Sequence, residues 1–327
     1  METQDPTIVE ERLLVRWLPS VLLDLPPAEP VTAVRTPHRV MLQALPASRD
    51  ALAILLRAQP FEITLELEDE AAPLRHVPVH QVHEARLTPD LPLDWPHYYW
   101  LCDGLLEDLA SSPADPAVGF LRGRLRLAVV EDLFRTARRG VTPDLAALRG
   151  AWEQPANMPR PDIERHGEPQ QALQQYVRGL TGHLVEHATS RPFVDEARTL
   201  LQFAEKKRDV PLPNLTVVEQ KMLCNYAQHR LMGGPWLTAP AGMIAGWQLL
   251  FSAHVLAVWY ASVLALAKRA PRGREALLTA MWMLDQGLWR DEALVHDVLR
   301  NLNASEYTSF ELAAGLAAAL RGAAVRA

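Results

Sequence analysis

The sequence predicts a mainly α-helical protein, a multi-helix, bundle-like domain with a small mixed α/β part at the N-terminus. Two observations support this fold class. From Asp94 onward, apolar residues recur at helical spacing in one segment after another, and capping residues separate the segments. Before Asp94, prolines are frequent and one segment alternates apolar with polar residues, as a half-buried strand does. With 327 residues, the chain is long enough to bury a sizeable core.

The N-terminal part, residues 1–92, is predicted to combine short strands with two helices. Apolar pairs form a helical stripe that stops at Pro26, and Ser48 is a suitable N-cap for the second helix. The predicted elements are a helix over 7–24, a strand at 40–42, a helix over 48–58 and a strand at 61–67.

The rest of the chain is predicted to be helical in two parts, residues 93–152 and 169–327. The polar, proline-rich segment 153–168 between them is predicted to be a linker or loop. Asp94 is a suitable N-cap, and Gly140 is a typical residue after a helix end. The predicted helices cover 94–109, 115–139, a short segment after 142, 169–189, 192–208, 215–232, 242–269, 273–289 and 291–302, and a last helix begins at Thr308.

Charge and cysteine content argue against several classes of protein. The net charge of −6 gives no basic stripe, so no nucleic-acid partner is expected. Cys102 and Cys224 stand alone in the sequence, which is too few thiolates for a cysteine-ligated zinc site or iron–sulfur cluster. The acidic first residues do not resemble a secretory signal, and a cytoplasmic location is expected.

The apolar segment 243–267 is interpreted as the central helix of a helical protein. Its length alone would suit a membrane span. Polar side chains interrupt it, however, and ionisable residues are costly in lipid, so no membrane partner is expected. The interrupting residues are Gln248, Ser252, His254 and Ser262.

Residues 181–190 place His183, Glu186 and His187 within five positions. On a helix the two histidines are about 40° apart, so both imidazoles face one side. The pattern H-x-x-E-H is that of an inverted zinc-peptidase helix, in which the glutamate activates a zinc-bound water. A third ligand is required, and no downstream motif supplies one. The favoured interpretation is the edge of a packed helix face without a metal ion, and a His183/His187 metal site is the alternative.

A second histidine cluster consists of His76, His80 and His83, beside Glu84. In an extended segment, His76 and His80 point one way and His83 the other. A loop that gathered all three would suit zinc, iron, copper or nickel. A solvated loop or strand is the favoured interpretation, and a metal site is again the alternative.

Aromatic residues are concentrated in the predicted helical region, including Trp247 and Trp259 on the long apolar helix. Most are interpreted as core residues. Aromatic walls with a few polar groups are also the usual make-up of a ligand pocket, in which Gln248 and His254 would supply the polar groups. Neither a glycine-rich phosphate loop after a predicted strand nor a G-x-S-x-G motif occurs in the sequence.

Two stretches of the sequence, residues 34–63 and 219–236, each contain a short motif that resembles one found in a known protein family. In the first, an Arg-Thr turn leads through a short strand and a proline turn into an aliphatic helix. The second is a helix with an Asn-Tyr pair followed by an arginine. The residues concerned are Arg35, Thr36, Arg39, Pro46, Leu52, Ile54, Leu55 and Leu56 in the first stretch, and Asn225, Tyr226 and Arg230 in the second.

These motifs resemble the flagellin lysine-N-methylase family. The resemblance extends loosely over residues 31–302, with 281–302 similar to the family's closing helices. It implies methylation of protein lysines with S-adenosylmethionine and an iron–sulfur centre held by N-terminal cysteines. Here Val34 and Leu45 stand where two of those cysteines would be, so no iron–sulfur cluster is expected. The vacated cluster site is predicted to be hydrophobic core.

Three functions remain open from the sequence. The first is a cluster-free relative of the methylases that uses S-adenosylmethionine and acts on, or binds, a lysine-bearing protein or a small amine. The second is a non-catalytic helical binding or scaffold module, and the third is a His-ligated metalloprotein. The oligomeric state is not predicted. For the methylase-like function the catalytic candidates are Tyr226, His229 and His254, and the cofactor-binding candidates are Arg35, Arg39, Trp247 and Trp259.

Overall fold

A computed structural model of the chain confirms the mainly α-helical class with a small mixed part at the N-terminal end. All of its described strands precede Asp94, and nearly all of its described helices follow it. The structure describes residues 13–14, 31–35, 40–46, 48–57, 62–63, 76–77, 79–81, 84–111, 115–137, 142–153, 169–207, 210–213, 215–233, 241–271 and 273–304.

The described strands form three small sheets. Strand β1 (Leu13–Leu14) pairs antiparallel with β5 (His76–Val77). The largest sheet contains β2 (Val31–Arg35), β3 (Val40–Ala44), β4 (Glu62–Ile63) and β6 (Val79–Gln81), in the order β4-β3-β2-β6. In it β2 runs antiparallel to β3 and parallel to β6. Strands β7 (Ala85–Thr88) and β8 (Leu91–Leu93) form an antiparallel hairpin.

The N-terminal predictions are confirmed in part. Strand β3 covers the strand predicted at 40–42, and helix α1 (Arg49–Leu55) lies within the helix predicted over 48–58. Ser48 is the N-cap of α1, because its Oγ accepts a hydrogen bond of 3.1 Å from the Ala51 backbone N–H. The strand predicted at 61–67 is found at Glu62–Ile63, and its other residues lie outside the described part of the chain.

The helix predicted over 7–24 is wrong at Leu13 and Leu14. These two residues pair with β5 as a strand, and the rest of that prediction lies outside the described residues. Helical periodicity is a weak preference that backbone pairing with a distant segment overrides.

All nine helices predicted between residues 94 and 302 are present, although several ends differ by a few residues. Instead of one helix over 273–289, a helix is followed by a π-helical turn, Asp285–Trp289. The segment 154–168, Gly140 and the helix predicted from Thr308 lie outside the described residues. The helices are α2 (Trp95–Ala110), α3 (Pro116–Thr136), α4 (Leu145–Glu153), α5 (Pro169–His187), α6 (Arg191–Lys206), α7 (Val217–Gly233), α8 (Gly242–Leu266), α9 (Arg274–Leu284) and α10 (Glu292–Ala304).

Local capping chemistry starts several of these helices. The Asp94 carboxylate accepts a 3.0 Å hydrogen bond from the His97 backbone N–H at the start of α2. The Asp144 carboxylate accepts one of 2.8 Å from the Ala147 N–H at the start of α4. Each cap satisfies a backbone donor that the first helical turn leaves without an internal partner.

Helix α8 is the centre of the fold. It is buried on all sides from Gly242 to Leu264 and packs against β7, α3, α5, α6, α7, α9 and α10. Gly242 has φ of +85°, and a Cβ there would lie 2.7 Å from the Leu87 carbonyl oxygen, so α8 starts in close contact with β7. By length and composition α8 is the one described helix that could cross a membrane, but 89% of its most apolar window is buried inside the protein. The arrangement is typical of a core helix.

Candidate metal centre

The end of α5 and the start of α10 are held together by one aspartate. Asp291 Oδ1 accepts a 3.0 Å hydrogen bond from the Leu294 N–H and thereby caps α10. Asp291 Oδ2 accepts bonds of 3.0 Å and 2.7 Å from the backbone N–H and hydroxyl of Thr189, just after α5. His183 lies six residues before Thr189 in the sequence, and Asp297 lies six residues after Asp291. The side chains of His183 and Asp297 contact each other. The two helix ends therefore run antiparallel past each other.

Three ligand-type side chains meet across this contact: His183, His187 and Asp297. One potential ligand atom from each lies within 4.8 Å of the other two. His183 Nε2 is 2.9 Å from Asp297 Oδ2, and the two imidazole rings have centroids 4.4 Å apart. We call His183, His187 and Asp297 the α5–α10 cluster.

The α5–α10 cluster is open to solvent on one side. The side chains of His183 and Asp297 are 24% and 34% exposed, and His187 is exposed. Asn301 lies one turn beyond Asp297, with its Nδ2 3.3 Å from His183 Nε2 and 3.4 Å from Asp297 Oδ2. Since amide oxygen and nitrogen are exchanged by a flip of the side chain, Asn301 can also present an oxygen to the same space.

Two imidazoles and one carboxylate are a ligand set that proteins use for zinc and for ferrous iron. Bonds from zinc to imidazole nitrogen and carboxylate oxygen are about 2.0–2.2 Å long. The three ligand atoms lie within 4.8 Å of one another, so the side chains would have to move together for all three to contact one ion at these bond lengths. Three protein ligands leave at least one coordination position open for water.

The sequence showed the two histidines of this cluster but not its third member. Asp297 lies on an amphipathic helix in a segment with no metal-binding motif. A carboxylate on the surface of a helix gives no signal of what lies opposite. Asp297 is identified only because the structure places α10 alongside the end of α5.

A second polar cluster, the Asp285 network, is buried between α7 and the π-helical turn. It consists of Tyr226, Arg230, Asp285 and Trp289. Asp285 Oδ2 accepts a 2.7 Å hydrogen bond from Arg230 Nη2, and Oδ1 accepts one of 2.8 Å from the Tyr226 hydroxyl. Trp289 Nε1 donates to the Tyr226 oxygen at 2.9 Å.

The Asp285 network is sealed from water. The side chains of Arg230 and Asp285 are 1% and 0% exposed. Burial, together with the Asp285 carboxylate, raises the pKa of Tyr226 well above its ordinary value of 10. Tyr226 is thus a neutral hydrogen-bonding residue at physiological pH, and both carboxylate oxygens of Asp285 are engaged by protein donors.

The other catalytic candidates lie elsewhere. His229 is half-buried on α7, one turn after Tyr226. His254 of α8 is buried against Phe120, with ring centroids 5.4 Å apart, and burial lowers its pKa to about 4. His254 therefore stays neutral at physiological pH. Because Tyr226 contacts Asp285 and His254 contacts Phe120, these two candidates belong to different parts of the core.

The predicted cofactor-binding residues with described side chains, Trp247 and Trp259, contact different partners in the core. Trp247 donates from Nε1 to the Phe120 carbonyl oxygen at 2.9 Å, and Trp259 donates to Gln174 Oε1 at 3.2 Å. Arg35 belongs to β2, but its side chain is not described, and Arg39 lies outside the described residues.

The second histidine cluster is extended where the structure describes it. His76 belongs to β5 and His80 to β6, and these strands belong to different sheets. The side chains of both histidines, and all of His83, lie outside the described part of the chain. A metal site at this cluster stays a prediction.

Of the two positions at which the family resemblance implies cysteines, only Leu45 has a described side chain. Leu45 follows β3 and packs half-buried against the hydrophobic core, while Val34 belongs to β2 and its side chain is not described. The Leu45 and Pro46 carbonyl oxygens accept hydrogen bonds from Arg290 Nη2 at 2.9 Å and Gln286 Nε2 at 3.1 Å. This proline turn is therefore docked on the segment that carries Asp285.

No protein-family model, no curated protein and no solved structure matches this chain. The resemblance to lysine methylases stays a prediction, and function is inferred from the chemistry of the described side chains.

Proposed function

We propose that this protein binds a divalent transition-metal ion through His183, His187 and Asp297. The observation that carries the proposal is the approach of these three ligand atoms to within 4.8 Å of one another across two helices. The lack of a third ligand was the reason to favour a simple helix edge, and Asp297 supplies that ligand. Zinc and ferrous iron both use this donor set.

The reaction class that this site supports is metal-assisted hydrolysis. When bound, the metal ion acts as a Lewis acid that lowers the pKa of a coordinated water. The exposure of the cluster lets water and substrate approach it. Glu186, which is exposed and adjacent to His187 in the sequence, would be the candidate general base if a metal ion were bound there.

A second candidate function is that of a cluster-free relative of the lysine methylases that uses S-adenosylmethionine. What supports it is the resemblance of the sequence motifs, whose residues join helices in this structure. Asn225 Nδ2 donates to the Leu56 carbonyl oxygen at 2.9 Å and joins α7 to α1, while Tyr226 and Arg230 bind Asp285. These contacts support a shared helical core, because buried side-chain ties specify packing rather than chemistry.

The metal proposal is tested by titrating chelator-treated protein with zinc, and anaerobically with ferrous iron, in a calorimeter. One ion per chain is expected. His183→Ala and Asp297→Ala should each weaken binding by roughly tenfold or more, since each removes one of three protein ligands. Stoichiometric binding of either metal supports the site, because nitrogen and oxygen ligands generally bind zinc more tightly than ferrous iron whichever metal a protein normally holds.

His296→Ala is the matched control, because His296 is an exposed histidine directly before Asp297. It should leave the affinity unchanged. Absence of stoichiometric binding of either metal, or an equal loss in the His296 variant, would refute the site. Calorimetry with S-adenosylmethionine tests the second candidate separately, since that function requires a heat of binding without added metal.

A further inference from the structure

Asn301 is a fourth polar side chain at the α5–α10 cluster. Its Nδ2 is 3.3 Å from His183 Nε2 and 3.4 Å from Asp297 Oδ2. These are the two atoms that lie 2.9 Å apart across the contact between the helices, and both residues are proposed metal ligands. Asn301 therefore borders the position that a bound ion would occupy.

The four side chains have the same spacing on both helices. His183 and His187 are four residues apart on α5, and Asp297 and Asn301 are four residues apart on α10. Residues four apart on an α-helix are neighbours on one face. Each helix thus contributes a pair of neighbouring side chains with potential ligand atoms.

The carboxylate of Asp297 explains the orientation of the Asn301 amide. An ionised carboxylate only accepts hydrogen bonds, so the NH₂ group of Asn301 faces it. Both contacts of the amide are made by Nδ2, and Oδ1 has no hydrogen-bond partner among the described residues. The last side-chain torsion of asparagine is broad and roughly two-fold, so a half-turn exchanges the two groups at little cost.

A cation held by His183 and Asp297 would reverse this orientation. A bound metal ion is often the largest local charge at its site, so it attracts the amide oxygen and repels the NH₂ group. Amide oxygens of asparagine are ordinary ligands of divalent metal ions. The same side chain that donates a hydrogen bond to Asp297 is therefore suited to contact the ion through its oxygen.

We propose that Asn301 is the fourth protein ligand of this ion, through Oδ1. This inference rests on the proposed metal site at His183, His187 and Asp297. The resulting set of two imidazole nitrogens and two oxygens provides the four ligands that zinc commonly takes. Catalytic zinc sites can expand to five ligands, so a water can still bind for the proposed hydrolysis.

The test is zinc calorimetry on the chelator-treated full chain, with two variants of the same residue. Asn301→Leu keeps a similar side-chain shape without the oxygen, and it should weaken zinc binding by roughly tenfold or more. Asn301→Asp keeps an oxygen and adds a negative charge, so it should bind zinc at least as tightly as wild type does.

Gln175→Leu is the matched control, since Gln175 is an exposed amide on α5, eight residues before His183. It should leave the affinity for zinc unchanged. Because Asn301 is exposed, both of its variants should have metal-free melting temperatures close to that of wild type. A loss of affinity in Asn301→Leu that Asn301→Asp restores is expected of a ligand, and a merely structural side chain would not produce it.

The inference is overturned if Asn301→Leu binds zinc as tightly as wild type, if Asn301→Asp loses as much affinity as Asn301→Leu, or if Gln175→Leu shows the same loss. In each of these cases, weaker binding by His183→Ala would still support the site with three ligands, so the two proposals fail separately. Absence of zinc binding to the wild-type chain would overturn the role of Asn301 as well.

Discussion

The Asp285 network and the α5–α10 cluster both join helices through polar side chains, but they differ in how those side chains are satisfied. In the network, both oxygens of Asp285 accept hydrogen bonds from protein donors, and the charges of Arg230 and Asp285 offset each other away from water. In the cluster, two imidazoles and a carboxylate face one another at a partly exposed position.

An aspartate takes part in each group, but it is buried in the network and partly exposed in the α5–α10 cluster. Polar groups that are satisfied by one another hold the fold in a defined packing. In the α5–α10 cluster, His183 and Asp297 already lie 2.9 Å apart, so an added ion would replace this contact. Titratable residues brought together by the fold therefore have to be judged by their exposure and pairing, and not by their number.

The largest expected effect comes from breaking the network. Asp285→Ala should lower the free energy of unfolding by about 3–5 kcal/mol, because it leaves the buried Arg230 cation without its partner. Urea denaturation of metal-free protein, followed by circular dichroism, measures this loss.

The control for this variant is Arg269→Ala. It removes the 2.6 Å ion pair with Glu196, whose members are 45% and 27% exposed. Exposed pairs contribute less than about 1 kcal/mol. Equal losses in the two variants would contradict a structural role for the buried network.

Asp108 is intermediate between the buried network and the α5–α10 cluster, and the pH dependence of stability tests its role. Its Oδ1 accepts a 2.7 Å hydrogen bond from Arg126, while its Oδ2 is buried without a partner among the described residues. Burial raises the pKa of Asp108 from 3.8 to about 6, although Arg126 and Arg122 oppose the shift. The native state thus holds this proton more tightly than the unfolded chain does.

The contribution of Asp108 to stability should therefore be greatest below pH 4 and should fall as the pH rises to about 6, by at most about 3 kcal/mol. Asp108→Asn, which cannot titrate, should flatten this part of the profile. Stability measured by urea denaturation at several pH values checks the slope, and an unchanged slope in the variant would assign it to other groups.

The smallest of the three expected effects on the free energy of unfolding is at the α5–α10 cluster. Zinc at a free concentration 100 times its dissociation constant should raise the free energy of unfolding by about 2.7 kcal/mol, because the ion binds the folded chain. His183→Ala should lose this increment, whereas His296→Ala should keep it. Without zinc, wild type and His183→Ala should have similar stabilities, since His183 is a partly exposed side chain. Zinc stabilisation that survives in His183→Ala would place the ion elsewhere.

The sequence was sufficient for most of the helical part because its signals are local. Asp94 and Ser48 cap helices at positions where a short polar side chain precedes an apolar repeat. The strand at Leu13–Leu14 was missed, because its pairing partner lies in a distant segment. The π-helical turn was missed as well, since its apolar spacing resembles that of an ordinary helix.

For the candidate sites, the sequence predicted which side chains share a face of one helix, but not which other helix packs against that face. The four-residue spacing of His183 and His187 fixes both imidazoles on one side of α5, whatever that helix packs against. Asp297 acquires its meaning as a possible ligand only from the neighbouring helix. Periodicity and capping depend on residues a few positions apart, whereas the third ligand depends on which helices meet in the folded chain.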